Sequence, residues 1–214
     1  MPLEEEVTSL ILMRHGETAW NRERRVMGMA DVPLNEAGEK QSRQAADLLA
    51  HFSVTDIISS PLRRASQTAE IVGGVLGIDC VFEQELCEVR FGRWQGLTYD
   101  EIRGDTQYLD FIKDPLGCPT PGGETIADVQ SRALDSLKLA RPGQTVLFVS
   151  HGDILRSVIC HFLDIPLEEF RRVRVDNCGL SAITLVANRP EVKFVNVLAD
   201  PERAWDPLHW SKPT

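Results

Sequence analysis

Two short apolar runs in this chain each end abruptly in a histidine followed by a glycine. Residues 10–13 (Leu-Ile-Leu-Met) lead into residues 14–16 (Arg-His-Gly), and residues 145–149 lead into residues 150–152 (Ser-His-Gly). Apolar runs of this length are typical of strands that are buried on both faces of a parallel sheet. Because open α/β sheets bind ligands at the carboxyl ends of their strands, both histidines are expected at one edge of one sheet.

Predicted strands and helices alternate along the chain. The strands are 8–14, 55–59, 78–83, 145–150, 180–187 and 192–198, and the helices are 36–51, 61–76, 95–113 in broken pieces, 125–140, 153–163 and 167–172. This alternation indicates β–α–β units, so we expect an α/β fold, a three-layer αβα sandwich around a mainly parallel central sheet. Because no linker, repeat or low-complexity tract interrupts the pattern, residues 1–214 are expected to form a single domain.

The composition fits such a domain and argues against a nucleic-acid partner. Hydrophobic residues make up 43% of the chain and charged residues 26%, which is enough apolar material for a sizeable core. The net charge is −9, whereas nucleic-acid binding needs a basic surface. An acidic chain still binds an anionic substrate where its arginines gather in one cleft.

Cysteine usage and the chain ends bear on location. Five cysteines without a C-x-x-C spacing are expected to be reduced thiols of a cytoplasmic protein. The acidic start, residues 1–6, is unlike a signal peptide, and no apolar run reaches transmembrane length, so we expect no membrane partner. The tail from Asp200, which contains Trp205 and Trp210, has no helical or strand period and is expected on the surface.

Two helices have clear boundary signals. Ser60 is a favourable N-cap and Pro61 suits the first helical position, so one helix is predicted to begin there and to end at Gly77. Thr125 and Asp128 have the spacing of a capping box ahead of an apolar helical face.

The residue types at the strand ends suit phosphoryl chemistry. A neutral histidine is a competent nucleophile, and arginine carries a planar cationic fork that matches phosphate oxygens. Gly16 allows the backbone to approach a ligand closely. A third apolar stretch, residues 56–60, runs towards the pair Arg63 and Arg64. No two histidines have metal-ligand spacing with a carboxylate, so we expect no metal.

Four motifs, in this order, resemble the histidine phosphatase superfamily, the group that includes cofactor-dependent phosphoglycerate mutases and many phosphatases. They are residues 14–21 (Arg-His-Gly-Glu-Thr-Ala-Trp-Asn), 59–69 (Ser-Ser-Pro-Leu-Arg-Arg-Ala-Ser-Gln-Thr-Ala), 86–88 (Leu-Cys-Glu) and 150–152 (Ser-His-Gly). The resemblance implies a phosphoglycerate mutase-like fold. It also implies catalysis on a small phosphorylated metabolite without a metal or other cofactor.

The resemblance assigns roles to individual residues. His15 would attack phosphorus and become phosphohistidine, with its other ring nitrogen held by an acceptor such as a backbone carbonyl, and Glu88 would protonate the leaving group. The groups that would neutralise the phosphoryl oxygens are Arg14, Arg64, His151, Asn21 and the backbone N–H of Gly152. The residues that would line the adjoining substrate loop are Glu17, Thr18 and Gly28.

Two of these assignments have a competing neighbour. Glu85 lies three residues before Glu88 and would be the proton donor if the register differed. Arg63 precedes Arg64, but neighbours on a helix do not share a face, so one of the two faces the site. The motif favours Arg64 and leaves Arg63 on the surface.

Specificity is expected in a cap segment, residues 89–124. Its Phe-Gly-x-Trp-x-Gly and Pro-Gly-Gly-Glu sequences resemble the phosphatase branch of the superfamily, and Arg90 and Trp94 are the candidate substrate contacts. Two alternatives remain for the aromatic side chains of the cap: they form a rim that accepts apolar leaving groups, or they pack the cap. These side chains are Phe91, Trp94, Tyr99, Tyr108 and Phe111.

The cap favours a phosphatase over a mutase. The mutase branch usually has Arg-x-Tyr-Gly after the acid and a pair of arginines later in the cap, whereas Val89 follows the acid here and residues 100–124 contain no Arg-Arg pair. We therefore expect a metal-independent phosphomonoesterase. The alternatives are a 2,3-bisphosphoglycerate-dependent mutase, a narrow phosphatase such as one for α-ribazole phosphate or a sugar phosphate, and a non-catalytic binder of phosphorylated ligands. A homodimer remains open.

Overall fold

The structure is a computed structural model that describes residues 7–187 and 189–200. The acidic start and the tryptophan-containing tail considered above lie outside these residues, apart from Asp200. Within them, no helix combines the length and apolar character needed to cross a bilayer.

Six strands form one central sheet. They are β1 (Val7–Arg14), β2 (Asp56–Ser59), β3 (Cys80–Phe82), β4 (Thr145–Ser150), β5 (Leu180–Val186) and β6 (Arg189–Val197). The order across the sheet is β3-β2-β4-β1-β5-β6. The first four strands in this order are parallel, while β5 runs antiparallel to β1 and β6 antiparallel to β5. The expected α/β fold with a mainly parallel sheet is confirmed.

Helices cover both faces of the sheet. They are α1 (Ala19–Arg22), α2 (Glu36–Leu49), α3 (Arg63–Leu76), α4 (Tyr99–Ile102), α5 (Thr106–Lys113), α6 (Ile126–Leu137) and α7 (Gly152–Phe162), with short 3-10 segments at Gln84–Leu86, Gly92–Trp94 and Leu167–Arg172. The alternating side chains of β1 show the layering. Leu10 and Leu12 pack with α6 and α7, whereas Ile11 and Met13 pack with α2 and α3.

The register of β1 and β4 brings the two His-Gly pairs together. Arg14 is opposite Ser150 in this parallel ladder, and the N–H of His15 donates to the carbonyl of Ser150 at 3.0 Å. His15 and His151 therefore leave the sheet side by side at its carboxyl edge, as the sequence predicts.

The predicted start of the third helix is wrong by two residues. Helix α3 begins at Arg63, and its N-cap is Leu62, which has extended backbone angles and makes no side-chain cap bond. The hydroxyl of Ser60 is instead engaged by His151 and by the N–H of Leu62. The hydrogen bond between Ser60 and His151 thus replaces the helix cap that the local sequence favours. The predicted end at Gly77, which has φ +72°, and the Thr125–Asp128 capping box are both present.

Candidate active site

His15 is held in one orientation at the end of β1. Its Nδ1 atom lies 2.7 Å from the carbonyl oxygen of Gly16, so Nδ1 carries the proton and Nε2 is left as the basic nitrogen. Burial, together with the positive charges of Arg64 and Arg14, keeps the pKa of His15 well below its ordinary value. The imidazole is therefore neutral at physiological pH, which is the state that a nucleophile needs.

A close glycine contact fixes the loop that carries His15. A Cβ on Gly16 would lie 2.6 Å from the carbonyl oxygen of Gly38 in α2. The N–H of Gly16 donates to the hydroxyl of Thr68 at 3.0 Å. Helices α2 and α3 thus both bind this loop directly, and a side chain at position 16 would separate α2 from it.

His151 stands next to His15 as the N-cap of α7. The two ring centroids are 5.3 Å apart, and Nε2 of His151 lies 2.8 Å from the hydroxyl oxygen of Ser60. Burial, followed by the positive charges of Arg64 and Arg14, lowers the pKa of His151 well below its ordinary value. The sequence did not identify Ser60 as a site residue, because its place before Pro61 had the pattern of a helix cap.

Arg64 is buried in the first turn of α3. Its Nη1 and Nη2 atoms donate to the carbonyls of Ala30 and Gly28, both at 2.8 Å. Burial lowers the pKa of Arg64 to about 10, which leaves the guanidinium cationic at neutral pH. Arg63 is exposed, in agreement with the expected division between the two arginines.

Arg14 is the last residue of β1. Its Nη1 donates to the carbonyl of Val175 at 2.8 Å, and burial together with the charge of Arg156 lowers its pKa. A Cβ on Gly152 would lie 3.7 Å from Nε of Arg14, so the first residue of α7 packs against this guanidinium.

Three buried side-chain nitrogens have no hydrogen-bond partner among the described residues. They are Nε of Arg14, Nε of Arg64 and Nδ1 of His151. Leaving a buried donor unsatisfied is costly, and native proteins rarely do so without a functional reason. The charges of Arg14 and Arg64 also act on both histidines. Nε of Arg14 and Nε of Arg64 can donate to a tetrahedral oxyanion, as can Nδ1 of His151 in the tautomer that carries its proton there. Nε2 of His15 keeps a free lone pair and is left as the nucleophile.

Glu88 follows the 3-10 turn Gln84–Leu86 and is 9% exposed. Its Oε1 accepts from the N–H of Val89 at 3.0 Å. Burial and then the negative charge of Asp153 raise the pKa of Glu88 to about 7, against the lowering effect of Arg64 and Arg14. A carboxyl group with this pKa can donate a proton near neutral pH. Glu85, the competing residue, is exposed.

The surroundings of Glu88 include groups that sequence reasoning missed. In the first turns of α7, Asp153 binds Nη1 of Arg156 at 2.7 Å, and both side chains are largely buried. Tyr99 is 39% exposed as a whole, yet burial of its hydroxyl and the charge of Asp153 raise its pKa to about 12. Neither Asp153 nor Arg156 has a motif signal of its own.

Asn21 is oriented by the loop around it. Thr18 caps α1 reciprocally with Asn21, and Oδ1 of Asn21 accepts from the N–H of Thr18 at 3.0 Å. Nδ2 of Asn177 donates to the carbonyl of His15 at 2.9 Å and to Oδ1 of Asn21 at 3.3 Å. Because Oδ1 is used within the scaffold, Nδ2 is the atom that Asn21 has for an anion. Asn177 lies in a loop, and nothing in the sequence identifies it.

The other predicted loop contacts have scaffold partners. Glu17 accepts at Oε1 from Nδ2 of Asn35 at 2.9 Å, at the start of α2. The hydroxyl of Thr18 serves the cap of α1, and Gly28, with φ +51°, offers its carbonyl to Arg64. These residues therefore support the side chains of the site.

The sequence made Trp94 a candidate substrate contact, but the structure places its side chain in the core of the cap. It is 1% exposed, its Nε1 donates to Asp105 at 3.1 Å, and it packs against Tyr108 and Phe111. The packing alternative therefore holds for these three aromatic residues. Arg90 is exposed, with Nε 4.0 Å from Glu124.

In the described part of the chain, no group of three or more His, Cys, Asp or Glu side chains could hold a metal ion.

Comparisons with known proteins agree with this geometry. A family model described as the histidine phosphatase superfamily (branch 1) matches residues 10–198. The probable phosphoglycerate mutase GpmB of Escherichia coli O1:K1 is 34% identical over 177 residues, which is 80% of this chain and 82% of that protein.

Solved structures show the same similarity. Phosphoserine phosphatase from Entamoeba histolytica, in complex with 3-phosphoglyceric acid, superposes with a TM-score of 0.81 at 30% identity, over 89% of this chain and 97% of that one. A mycobacterial glucosyl-3-phosphoglycerate phosphatase in complex with VO3 superposes with a TM-score of 0.78 at 28% identity, over 88% and 98%.

Proposed function

Because the chain belongs to the histidine phosphatase superfamily, we propose that it is a metal-independent phosphomonoesterase acting through a phosphohistidine on His15. Its substrates are small phosphorylated metabolites, and Glu88 is the proton donor. The observation that carries the proposal is the set of three buried, unpartnered nitrogens on Arg14, Arg64 and His151 beside the neutral imidazole of His15. A phosphoryl group would satisfy all three nitrogens while it is held for attack.

The first step forms the phosphoenzyme. Nε2 of His15 attacks phosphorus while the bond to the leaving oxygen breaks, and Nδ1 keeps its proton on the carbonyl of Gly16. Arg14 and Arg64 neutralise the non-bridging oxygens, which is the main catalytic requirement of phosphoryl transfer. Glu88 gives its proton to the leaving alkoxide, so the alcohol departs neutral and the carboxylate remains.

The second step restores the enzyme. Water attacks the phosphoryl group, the N–P bond breaks, and the carboxylate of Glu88 takes a proton from that water. Inorganic phosphate leaves, and His15 returns to its neutral form. No electron acceptor or metal enters either step.

The decisive experiment follows phosphate release by the purified protein in EDTA. The panel contains phosphoserine, 3-phosphoglycerate, sugar phosphates and p-nitrophenyl phosphate. We expect release without any added cofactor, and loss of this release in His15→Ala. Full activity of His15→Ala would refute the covalent mechanism, and a strict requirement for a divalent ion would refute metal independence.

The mutase remains the second candidate because of the name of the Escherichia coli relative. The cap argues against it, since Arg93 binds Asp105 at 2.7 Å and Arg103 binds Asp100 at 3.4 Å. A second acidic group would have to compete with those carboxylates. Formation of 2-phosphoglycerate from 3-phosphoglycerate only with added 2,3-bisphosphoglycerate would establish the mutase instead.

A further inference from the structure

Arg132 of α6 points at the backbone of the segment that carries Glu88. Its Nη1 donates to the carbonyls of Glu85 at 2.5 Å and Cys87 at 2.6 Å, and its Nη2 donates to the carbonyl of Glu88 at 3.3 Å. The side chain is 14% exposed. One guanidinium thus binds three carbonyls within four residues, including that of the proposed proton donor.

The same arginine fixes the other side of the segment through Glu124. Nε of Arg132 donates to Oε1 of Glu124 at 3.1 Å, and Oε2 of Glu124 accepts from the N–H of Arg90 at 2.7 Å. Thr120 donates its hydroxyl to the carbonyl of Arg90 at 2.6 Å. The would-be Cβ of Gly122 falls within bonding distance of that carbonyl, so only glycine allows this approach.

Apart from the core packing of Leu86 and Val89, the segment from 84 to 90 is held by few hydrogen bonds. It belongs to no strand, and its one 3-10 turn ends at Leu86, whose carbonyl accepts from the hydroxyl of Ser150 at 2.8 Å. After Leu86, the side-chain hydrogen bonds to the backbone of this segment come from the Arg132–Glu124 pair, from Thr120 and from the carboxyl of Glu88 itself. Where the Glu88 carboxyl lies therefore depends on where Arg132 holds the backbone.

We propose that Arg132, held by Glu124, is a positioning residue for the proton donor Glu88. It touches neither phosphate nor leaving group but sets the place from which the proton is delivered. This inference rests on the proposed phosphatase mechanism. Lysine replaces arginine only in part here, because an ammonium lacks the planar fork that reaches several carbonyls and Glu124 at once.

The proposal predicts a leaving-group signature that a purely structural role would not give. General acid catalysis contributes about 10²–10⁴-fold, and a displacement of about 1 Å is enough to lose about 10²-fold. An alkoxide leaving group needs the proton, whereas p-nitrophenolate leaves readily without it. Attack by His15 and phosphate binding by Arg14 and Arg64 do not pass through Arg132.

The test compares Arg132→Lys, Arg132→Met and Glu124→Gln on β-glycerophosphate and p-nitrophenyl phosphate. We expect kcat on β-glycerophosphate to fall roughly 10²-fold in Arg132→Met and on the order of tenfold in the milder variants. On p-nitrophenyl phosphate kcat changes less than about threefold, and KM stays nearly constant on both. Arg25→Lys is the matched control: Arg25 also donates to a cap carbonyl, that of Gly96 at 2.8 Å, and should leave both rates unchanged.

A second readout does not depend on turnover. Hydrogen exchange of the amides at Val89 and Arg90 should accelerate in the Arg132 and Glu124 variants and not in Arg25→Lys. Equal losses on both substrates in all three variants, whether through misfolding or otherwise, would overturn the proposal. So would unchanged exchange at Val89 and Arg90. A wild-type protein that released phosphate from no member of the substrate panel above would refute the phosphatase function instead, and exchange would still test whether Arg132 holds the backbone at Glu88.

Discussion

Replacing Glu88 by Gln should stabilise the folded protein at alkaline pH. The wild-type carboxyl is buried, and its burial together with the charge of Asp153 raises its pKa from 4.5 to about 7. Folding therefore opposes ionisation of this one group. Gln has nearly the same shape, and its amide oxygen can still accept from the N–H of Val89, which bonds the carboxyl at 3.0 Å in the wild type.

The size and sign follow from proton linkage. Between pH 4.5 and pH 7 the folded state binds the proton more tightly than the unfolded state, so the contribution of Glu88 to stability falls as pH rises. With 1.36 kcal/mol per pKa unit, the full difference is about 3 kcal/mol above pH 7. The penalty is therefore about 1 kcal/mol at pH 5 and about 3 kcal/mol at pH 8, so it grows by about 2 kcal/mol across this range.

Urea unfolding of the wild type and Glu88→Gln from pH 5 to pH 8 would measure this change. We expect the advantage of the variant to grow by about 2 kcal/mol across the range. Glu85→Gln, which removes an exposed carboxylate from the same segment, should stay within about 0.5 kcal/mol of the wild type. A difference between wild type and Glu88→Gln that is flat with pH would refute the assignment of Glu88 as a buried acid with a raised pKa.

Three further predictions concern the cap, the anion site and the metal. Trp94→Ala should lower the free energy of unfolding by about 3–5 kcal/mol, because it empties the core of the cap; a change in KM without destabilisation would contradict this placement. Arg64→Met should abolish the rise in melting temperature that millimolar orthophosphate gives the wild type, whereas a preserved rise would mean that the anion binds elsewhere. Phosphate release should be unaffected by EDTA, and restoration of activity by added Mg²⁺ or Zn²⁺ would count against the mechanism.

The sheet edge could be predicted because its signals are local. The apolar runs before Arg14 and Ser150 identify buried strands, and parallel strands in one sheet bring their ends together. The strand ends and the capping box at Thr125 were likewise close to their observed positions. The start of α3 was not, since the hydroxyl that would cap it bonds to His151, a residue 91 positions away.

The cap was less predictable, because the spacing of its apolar residues does not tell which side chains are exposed and which are buried. Its aromatic residues are spaced over short, broken helices, and this spacing is equally consistent with a rim and with a small core. Burial of Trp94 against Tyr108 and Phe111 depends on how α5 packs against the 3-10 turn Gly92–Trp94. Arg132 and Asn177 could not be predicted for a different reason. Each binds backbone carbonyls, which every residue has, so no sequence pattern identifies their partners.

The local charges of the site explain how a chain of net charge −9 can bind a phosphoryl dianion. Burial, with the charges of Arg64 and Arg14, lowers the pKa of both histidines, so Nε2 of His15 is free of a proton before substrate arrives. The same charges act to lower the pKa of Glu88, and burial with Asp153 outweighs them. A bound phosphoryl dianion would offset the two arginines and add its own negative charge. The pKa of Glu88 would then rise, so the carboxyl group would keep its proton until the leaving oxygen takes it.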